Sequence, residues 1–188
     1  MTLKKNSFKT IYQPINLSTH QPINRPRNQM KLKELYIVLA DDDADDCIFF
    51  KAAIEELLPF AKLTIVNDGE DLMRCLLKNE LQVPDVIFLD INMPRKNGLE
   101  CLSEMKKSPK LKEIPVIMFS TSNSWETINQ LFETGANVYI HKPSDFGQLK
   151  QVIHHALPIA AEKIVSKYPL KYILNAANGV RPKHAKLS

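Results

Sequence analysis

Long apolar runs are missing from this sequence of 188 residues. Nowhere do about 18 apolar residues follow one another, so no segment reads as a transmembrane helix. The start is basic, but Lys4 and Lys5 are not followed by the apolar core that a secretory signal needs, which argues for a cytoplasmic protein. Cysteine is scarce. Cys47, Cys75 and Cys101 are odd in number and far apart, so they lack the short paired spacing of a zinc site. Each falls in an expected helix and reads as a buried free thiol in a reducing compartment. Glycine is scarce too, with five residues in all, and no Gly-rich loop of the Walker kind is present to cradle a nucleotide.

Acidic residues are absent from positions 1–30, which carry five Lys/Arg. Residues 31–157 hold 14 basic and 20 acidic side chains, and 158–188 hold six Lys/Arg against Glu162. An acidic middle thus lies between two basic ends. Such ends read as solvated tails rather than as nucleic-acid-binding arms, and membrane insertion is not expected. Residues 1–30 are rich in Asn, Gln, Pro and Thr and repeat one short phrase, Gln13-Pro14-Ile15-Asn16 and Gln21-Pro22-Ile23-Asn24. With little to bury, they read as a disordered N-terminal extension. Met30 is a candidate natural start.

From Leu35 onward the texture changes. The continuous apolar run Leu35–Ala40, rich in β-branched residues, reads as a strand buried on both faces, and 63–66, 86–89, 116–119 and 138–141 read as four further strands. Between them, segments 45–58, 69–79, 98–107 and 124–134 carry helical patterning. Ser144 is the expected cap of a fifth helix with its apolar stripe at 149, 152, 153 and 156, and Pro158 should stop or kink it. Five strands alternating with five helices predict a doubly wound α/β fold with a parallel sheet. In such sheets, ligands bind beyond the carboxyl ends of the strands.

Those ends hold the chemistry. Asp41, Asp42 and Asp43 follow the first strand, with Asp45 and Asp46 close behind. Asp90 follows the third, Ser120 the fourth and Lys142 the fifth. Asp41-x-Asp43-x-Asp45 imitates a calcium loop, but Asp46 stands where that loop needs Gly and Ala52 where it needs Glu. Asp45 and Asp46 instead suit the positive end of the first helix. His141 reads as a strand-end surface residue. His154 and His155 are adjacent on a helix and are poor joint ligands. Trp125, near the start of the fourth helix, reads as packing or as a partner contact.

Four stretches, taken in order, carry a resemblance: Ile37-Val38-Leu39-Ala40-Asp41-Asp42-Asp43; Phe88-Leu89-Asp90-Ile91-Asn92-Met93-Pro94 with Asn97-Gly98; Pro115-Val116-Ile117-Met118-Phe119-Ser120-Thr121; and Gly135-Ala136-Asn137-Val138-Tyr139-Ile140-His141-Lys142-Pro143. Residues 31–157 resemble the receiver domain of two-component response regulators, of the stand-alone type. The resemblance implies a flavodoxin-like receiver fold with strand order 2-1-3-4-5. It implies Asp90 as phospho-acceptor and a magnesium ion held by Asp42, Asp90, the Asn92 carbonyl and, largely through water, Asp41. Lys142, Ser120 and the Thr121 backbone N–H would bind the phosphoryl group. Ser120 and Tyr139 would form the switch, and a cis Lys142-Pro143 peptide would aim the lysine. Asn92 and Ser122 would tune phosphoryl lifetime.

The implied donor is a phosphohistidine on a sensor kinase or histidine phosphotransfer protein. The implied output is an unidentified downstream protein, contacted through the face made by the fourth helix, fifth strand and fifth helix. A homodimer through that face is left open. The chain is expected to catalyse only its own phosphorylation and dephosphorylation. Residues 158–188 are too few for a winged-helix output domain and are expected to form a helix or a docking arm. Two rival readings compete with this one. The first is a haloacid-dehalogenase-type phosphatase, but Asp90-Ile91-Asn92 lacks the second Asp of its Asp-x-Asp motif. The second is a nucleic-acid-binding regulator acting through the basic ends.

Overall fold

The computed structural model describes residues 35–78, 80–162, 171–175 and 179–183. The N-terminal extension, Met30, and the tail residues Ile164-Val165 and Tyr168-Pro169-Leu170 lie outside the described residues. Five strands, β1 (Tyr36–Ala40), β2 (Lys62–Val66), β3 (Val86–Leu89), β4 (Val116–Ser120) and β5 (Val138–His141), alternate with α1 (Ala44–Leu57), α2 (Gly69–Leu77), α3 (Gly98–Lys107), α4 (Trp125–Thr134) and α5 (Phe146–Glu162). All five strands are parallel in the order 2-1-3-4-5, as expected. Two more strands, β6 (Lys171–Asn175) and β7 (Gly179–Lys183), extend the sheet beyond β5. β6 runs parallel to β5 and β7 returns antiparallel.

Side chains alternate faces along each strand, so a strand covered on both sides must be apolar throughout. β1 illustrates this. Tyr36, Val38 and Ala40 join the core under α2, α3 and α4, while Ile37 and Leu39 join the core under α1 and α5. The second core contains Phe50, Phe88 and Phe119, whose rings meet edge to face at 4.8, 5.6 and 6.3 Å between centroids. The tail contributes as well: Leu174 on β6 is buried in the core with Ile140 and Ile153, and Ile173 packs on the core that contains Tyr139.

Helix ends explain how the loops enter the site. Asp43 caps α1, its Oδ1 accepting from the N–H groups of Asp45 (2.9 Å) and Asp46 (3.0 Å). Asn97 and Glu100 form a reciprocal capping box on α3. Two expectations need correction. The fifth helix is capped by Asp145, not Ser144, because Asp145 Oδ1 accepts from Gln148 N–H at 2.8 Å, two residues inside the helix that begins at Phe146. Pro158 neither stops that helix nor bounds it; α5 runs on to Glu162, since a proline costs the ladder one N–H but leaves the following turns their own donors. Trp125, read as packing or as a partner contact, is 65% exposed at the start of α4, which disfavours the packing alternative. No helix among the described residues is long and apolar enough to cross a membrane.

Candidate functional site

Parallel strands deliver their carboxyl ends to one side of the sheet. β1 and β3 are in register with Ala40 opposite Leu89, so the next residues, Asp41 and Asp90, come out side by side. Main-chain bonds continue the ladder past the strands: Asp90 N–H donates to the Ala40 carbonyl at 2.9 Å, and Asp41 N–H to the Val66 carbonyl at 3.0 Å. β4 and β5 do the same, with Lys142 N–H donating to the Ser120 carbonyl at 2.9 Å. Gly98 closes the loop after Asp90: its N–H donates to the Ile91 carbonyl at 2.9 Å, and a Cβ there would stand 2.0 Å from the Asp90 carbonyl oxygen. No larger residue fits without moving the loop.

Asp41, Asp42 and Asp90 each bring a carboxylate oxygen within 4.8 Å of the others. Asp41 and Asp90 are buried, and Asp42 is exposed. The Lys142 ammonium reaches across from β5. It lies 2.7 Å from Asp41 Oδ2, 2.8 Å from Asp46 Oδ2 and 3.4 Å from Asp90 Oδ1, and 5.3 Å from the Phe119 ring centroid. Its contact with Asp46 is a hydrogen bond, and it forms a close ion pair with Asp41 Oδ2, a buried oxygen that has no other partner. Asp41 Oδ1 accepts from Asp43 N–H at 3.2 Å, and Asp90 Oδ2 from Asn92 N–H at 2.7 Å.

Burial pushes the Asp41 carboxyl up to about 6, against the opposing pull of the Lys142 ammonium; the neighbouring Asp90 charge pushes it the same way as burial. Lys142 is desolvated too, yet its carboxylate partners hold it above the ordinary lysine range. Asp41, Asp46 and Asp90 share the Lys142 ammonium, which leaves the carboxylate cluster with excess negative charge that a further cation would offset. Three hard oxygen donors converging there suit a small divalent ion such as magnesium. The donor set therefore fits the metal that the sequence suggests.

Ser120 and Tyr139 form a neighbouring group. Ser120 is fully buried, and its Oγ accepts from Ser122 N–H at 3.4 Å. The Tyr139 hydroxyl is turned inward and donates to the carbonyls of Ser122 and, at 3.4 Å, Ser120. Burial pushes its pKa up to about 12. Thr121 and the Asn92 side chain are exposed at the rim. One implied feature is corrected: the Lys142-Pro143 peptide is not cis, for the described residues contain no cis peptide bond. The trans form is the intrinsically preferred one. The lysine is aimed instead by its main-chain bond to Ser120 and by three facing carboxylates.

Two residues at or beside the site are not visible as such in the sequence. Asp46 reads there as a helix-end charge alone, yet it holds Lys142 from 96 positions away in the chain. The signal is its place in the first turn of α1, where Asp43 caps the helix and turns Asp46 towards the sheet. Arg95, whose contacts appear below, gives no signal at all.

Comparison with known proteins agrees with this arrangement. The model of the response regulator receiver domain matches residues 37–154, from β1 into α5. Response regulator Rcp1 of Synechocystis sp. is 29% identical over 121 residues, 62% of this chain and 82% of the relative. The crystal structure of the phosphorylated cyanobacterial phytochrome response regulator RcpA is 30% identical, with a TM-score of 0.64, covering 69% of this chain and 96% of that chain. The Mn(2+)-bound form of Rcp1 is 27% identical, with a TM-score of 0.60, covering 65% of this chain and 94% of that one. With the family model spanning most of the chain, and with carboxylates, a hydroxyl and a lysine gathered at the strand ends, this protein belongs to the response regulator receiver domain family.

Proposed function

We propose that Asp90 accepts a phosphoryl group from a phosphohistidine on a sensor histidine kinase or histidine phosphotransfer protein, and that the chain signals onward through protein contacts. The observation that carries this reading is the convergence of Lys142 on the buried carboxylates of Asp41 and Asp90, beside Asp42, at the strand ends. Asp41, Asp42 and Asp90, with the Asn92 main-chain carbonyl, would hold a magnesium ion. When bound, the ion neutralises carboxylate and phosphoryl oxygens, the main requirement of phosphoryl transfer. A manganese-bound relative is consistent with a divalent ion at this kind of site.

The chain's own residues do the rest. Asn92 N–H fixes Asp90 by holding its Oδ2. The Asp90 carboxylate attacks phosphorus; the new O–P bond forms as the P–N bond to imidazole breaks, leaving an acyl phosphate. Lys142, already within 3.4 Å of Asp90 Oδ1, supplies positive charge to the incoming oxygens. Ser120 exchanges its contact with Ser122 N–H for a bond to a phosphoryl oxygen, joined by Thr121 N–H. Tyr139, bonded to the Ser120 and Ser122 carbonyls, follows that loop. Pro143, next to Lys142, lies in the loop between β5 and α5 and would move with the lysine in the switch. The signal leaves by the face of α4, β5 and α5, where β6 covers the outer edge of β5 by pairing with it. On the input side, exposed Ile48 (64%) and Phe49 (55%) follow Asp46 on α1 and offer a protein donor an apolar contact beside the acceptor.

Acetyl phosphate with magnesium should phosphorylate wild-type protein at Asp90 and leave Asp90→Asn unmodified, as read by Phos-tag electrophoresis and peptide mass spectrometry. Stoichiometric labelling of the Asp90→Asn variant would sink the assignment.

A further inference from the structure

The loop that follows Asp90 is held from outside by a residue with no role so far. Arg95 has φ +62, the only non-glycine residue with positive φ among the described residues. A side chain with a Cβ adopts that conformation only where its surroundings impose it. Here they do. The Arg95 guanidinium is pinned to the N-terminus of α2: its Nη2 is paired with Asp68 Oδ2 and lies 2.9 Å from Asp71 Oδ2, and its Nε lies 3.9 Å from Glu70 Oε2. Asp68 is buried and is also the cap of α2, accepting from Asp71 N–H at 2.8 Å. One carboxylate therefore ties α2 and the acceptor loop together.

The next residue completes the joint. The Lys96 carbonyl sits where a Cβ on Gly69 would stand 2.1 Å away, so the loop lies directly on the first residue of α2. Cys101 Sγ meets the Gly69 carbonyl at 3.4 Å from the α3 side. From this joint the chain runs back through Met93, which is buried, to Asn92, whose N–H holds Asp90. The loop is closed by Gly98 N–H on the Ile91 carbonyl. A short closed loop anchored at one end by the strand and at its far end by Arg95 leaves Asn92 little freedom.

We propose that Arg95 is a positioning residue for phosphorylation: clamped to Asp68 and Asp71, it sets the loop that presents the Asn92 carbonyl to the metal and the Asn92 N–H to Asp90. The proposal rests on Asp90 being the acceptor. Arg95 is half exposed, so its ion pairs alone contribute little to stability. Its effect should appear in metal affinity and phosphorylation, since residues that orient metal ligands typically change affinity about 10–100-fold when removed.

The test uses the full chain, with magnesium binding measured by calorimetry and phosphorylation by acetyl phosphate, for wild type, Arg95→Ala, Arg95→Gly, Arg95→Lys and Asp68→Asn. Arg95→Gly keeps the positive φ without strain but removes the clamp. Arg95→Ala, Arg95→Gly and Asp68→Asn should each weaken magnesium binding by about tenfold and slow phosphorylation at subsaturating metal, with Arg95→Lys intermediate. Saturating magnesium should restore the rate in all of them. A double Arg95→Ala/Asp68→Asn variant should be no worse than either single one. Wild-type magnesium affinity and rate in folded Arg95→Gly would overturn the proposal while leaving the acceptor reading intact. Failure of wild type itself to be labelled at Asp90 would remove both.

Discussion

Replacing Asp41 with asparagine should make the metal-free protein more stable and deprive it of its metal. The carboxyl is 1% exposed, and burial raises it from 3.8 to about 6. A raised folded-state value means that the folded chain binds this proton more tightly than the unfolded chain does. The group therefore favours folding fully below about pH 4, and that contribution is lost as pH rises through 6. At neutral pH the ionised carboxylate costs the fold up to about 3 kcal/mol, taking roughly 1.4 kcal/mol for each tenfold gain in proton affinity. Asp41→Asn removes the charge without changing the shape, and Lys142 keeps Asp46 at 2.8 Å and Asp90 at 3.4 Å. In chelator at neutral pH the variant should melt roughly 5–10 °C above wild type. The gap should close as the buffer is taken below about pH 4, where wild-type Asp41 is itself neutral. Added magnesium should raise the wild-type melting temperature and leave the variant's unchanged. Differential scanning calorimetry across this pH range, with and without magnesium, reads all three effects. A variant less stable than wild type at neutral pH in chelator, or a gap that does not change with pH, would refute the electrostatic account.

Two further outcomes test the fold around the site. Burial raises the thiols of Cys47 and Cys101 to about 11, whereas Cys75 is only partly buried, so iodoacetamide near pH 8 should alkylate Cys75 first and reach the other two on unfolding; peptide mass spectrometry over time gives the order. Leu174→Ala should destabilise the whole domain by about 2–4 kcal/mol in urea titrations, because Leu174 is 1% exposed in the core with Ile140 and Ile153; a change within error would mean that β6 is peripheral to the fold.

Much of this is legible in the sequence for one physical reason. A sheet covered on both faces demands strands that are apolar throughout, and β1, β3, β4 and β5 are buried at nearly every position. These four runs, with the half-buried β2 at the sheet edge, fix the strand ends, and in a parallel sheet the strand ends are the site. Asp41, Asp90, Ser120 and Lys142 can therefore be found without knowing any distance. What the sequence conceals depends on side-chain reach. Asp46 and Lys142 meet across the sheet although neither motif hints at the other. Arg95 looks like a surface arginine until its φ and its buried partner Asp68 are known. Ser144 and Asp145 both offer a capping oxygen, and only the position of the Gln148 N–H decides between them. β6 and β7 are short, and Pro182 interrupts the second, so local patterning offers no more than an arm.

The charges around Lys142 argue for an order of events. Asp41, Asp42, Asp46 and Asp90 surround or adjoin a single ammonium, so the resting site is strongly negative. A phosphoryl group brings further negative charge into that field, and Coulomb repulsion at such distances in a partly buried site amounts to several kcal/mol per pair. Lys142 alone cannot offset it, being already shared among three carboxylates. On the proposed reading, a divalent cation would have to be in place before the phosphoryl group arrives. After the proposed transfer, Asp90 would no longer carry a free carboxylate, and Lys142 could turn from Asp46 towards the phosphoryl oxygens. The hydrogen bond between Lys142 and Asp46, which joins β5 to the first turn of α1, is then the contact most directly altered by phosphorylation. It links the acceptor to the α1 surface carrying Ile48 and Phe49, so a donor protein docked there would feel the product form beneath it.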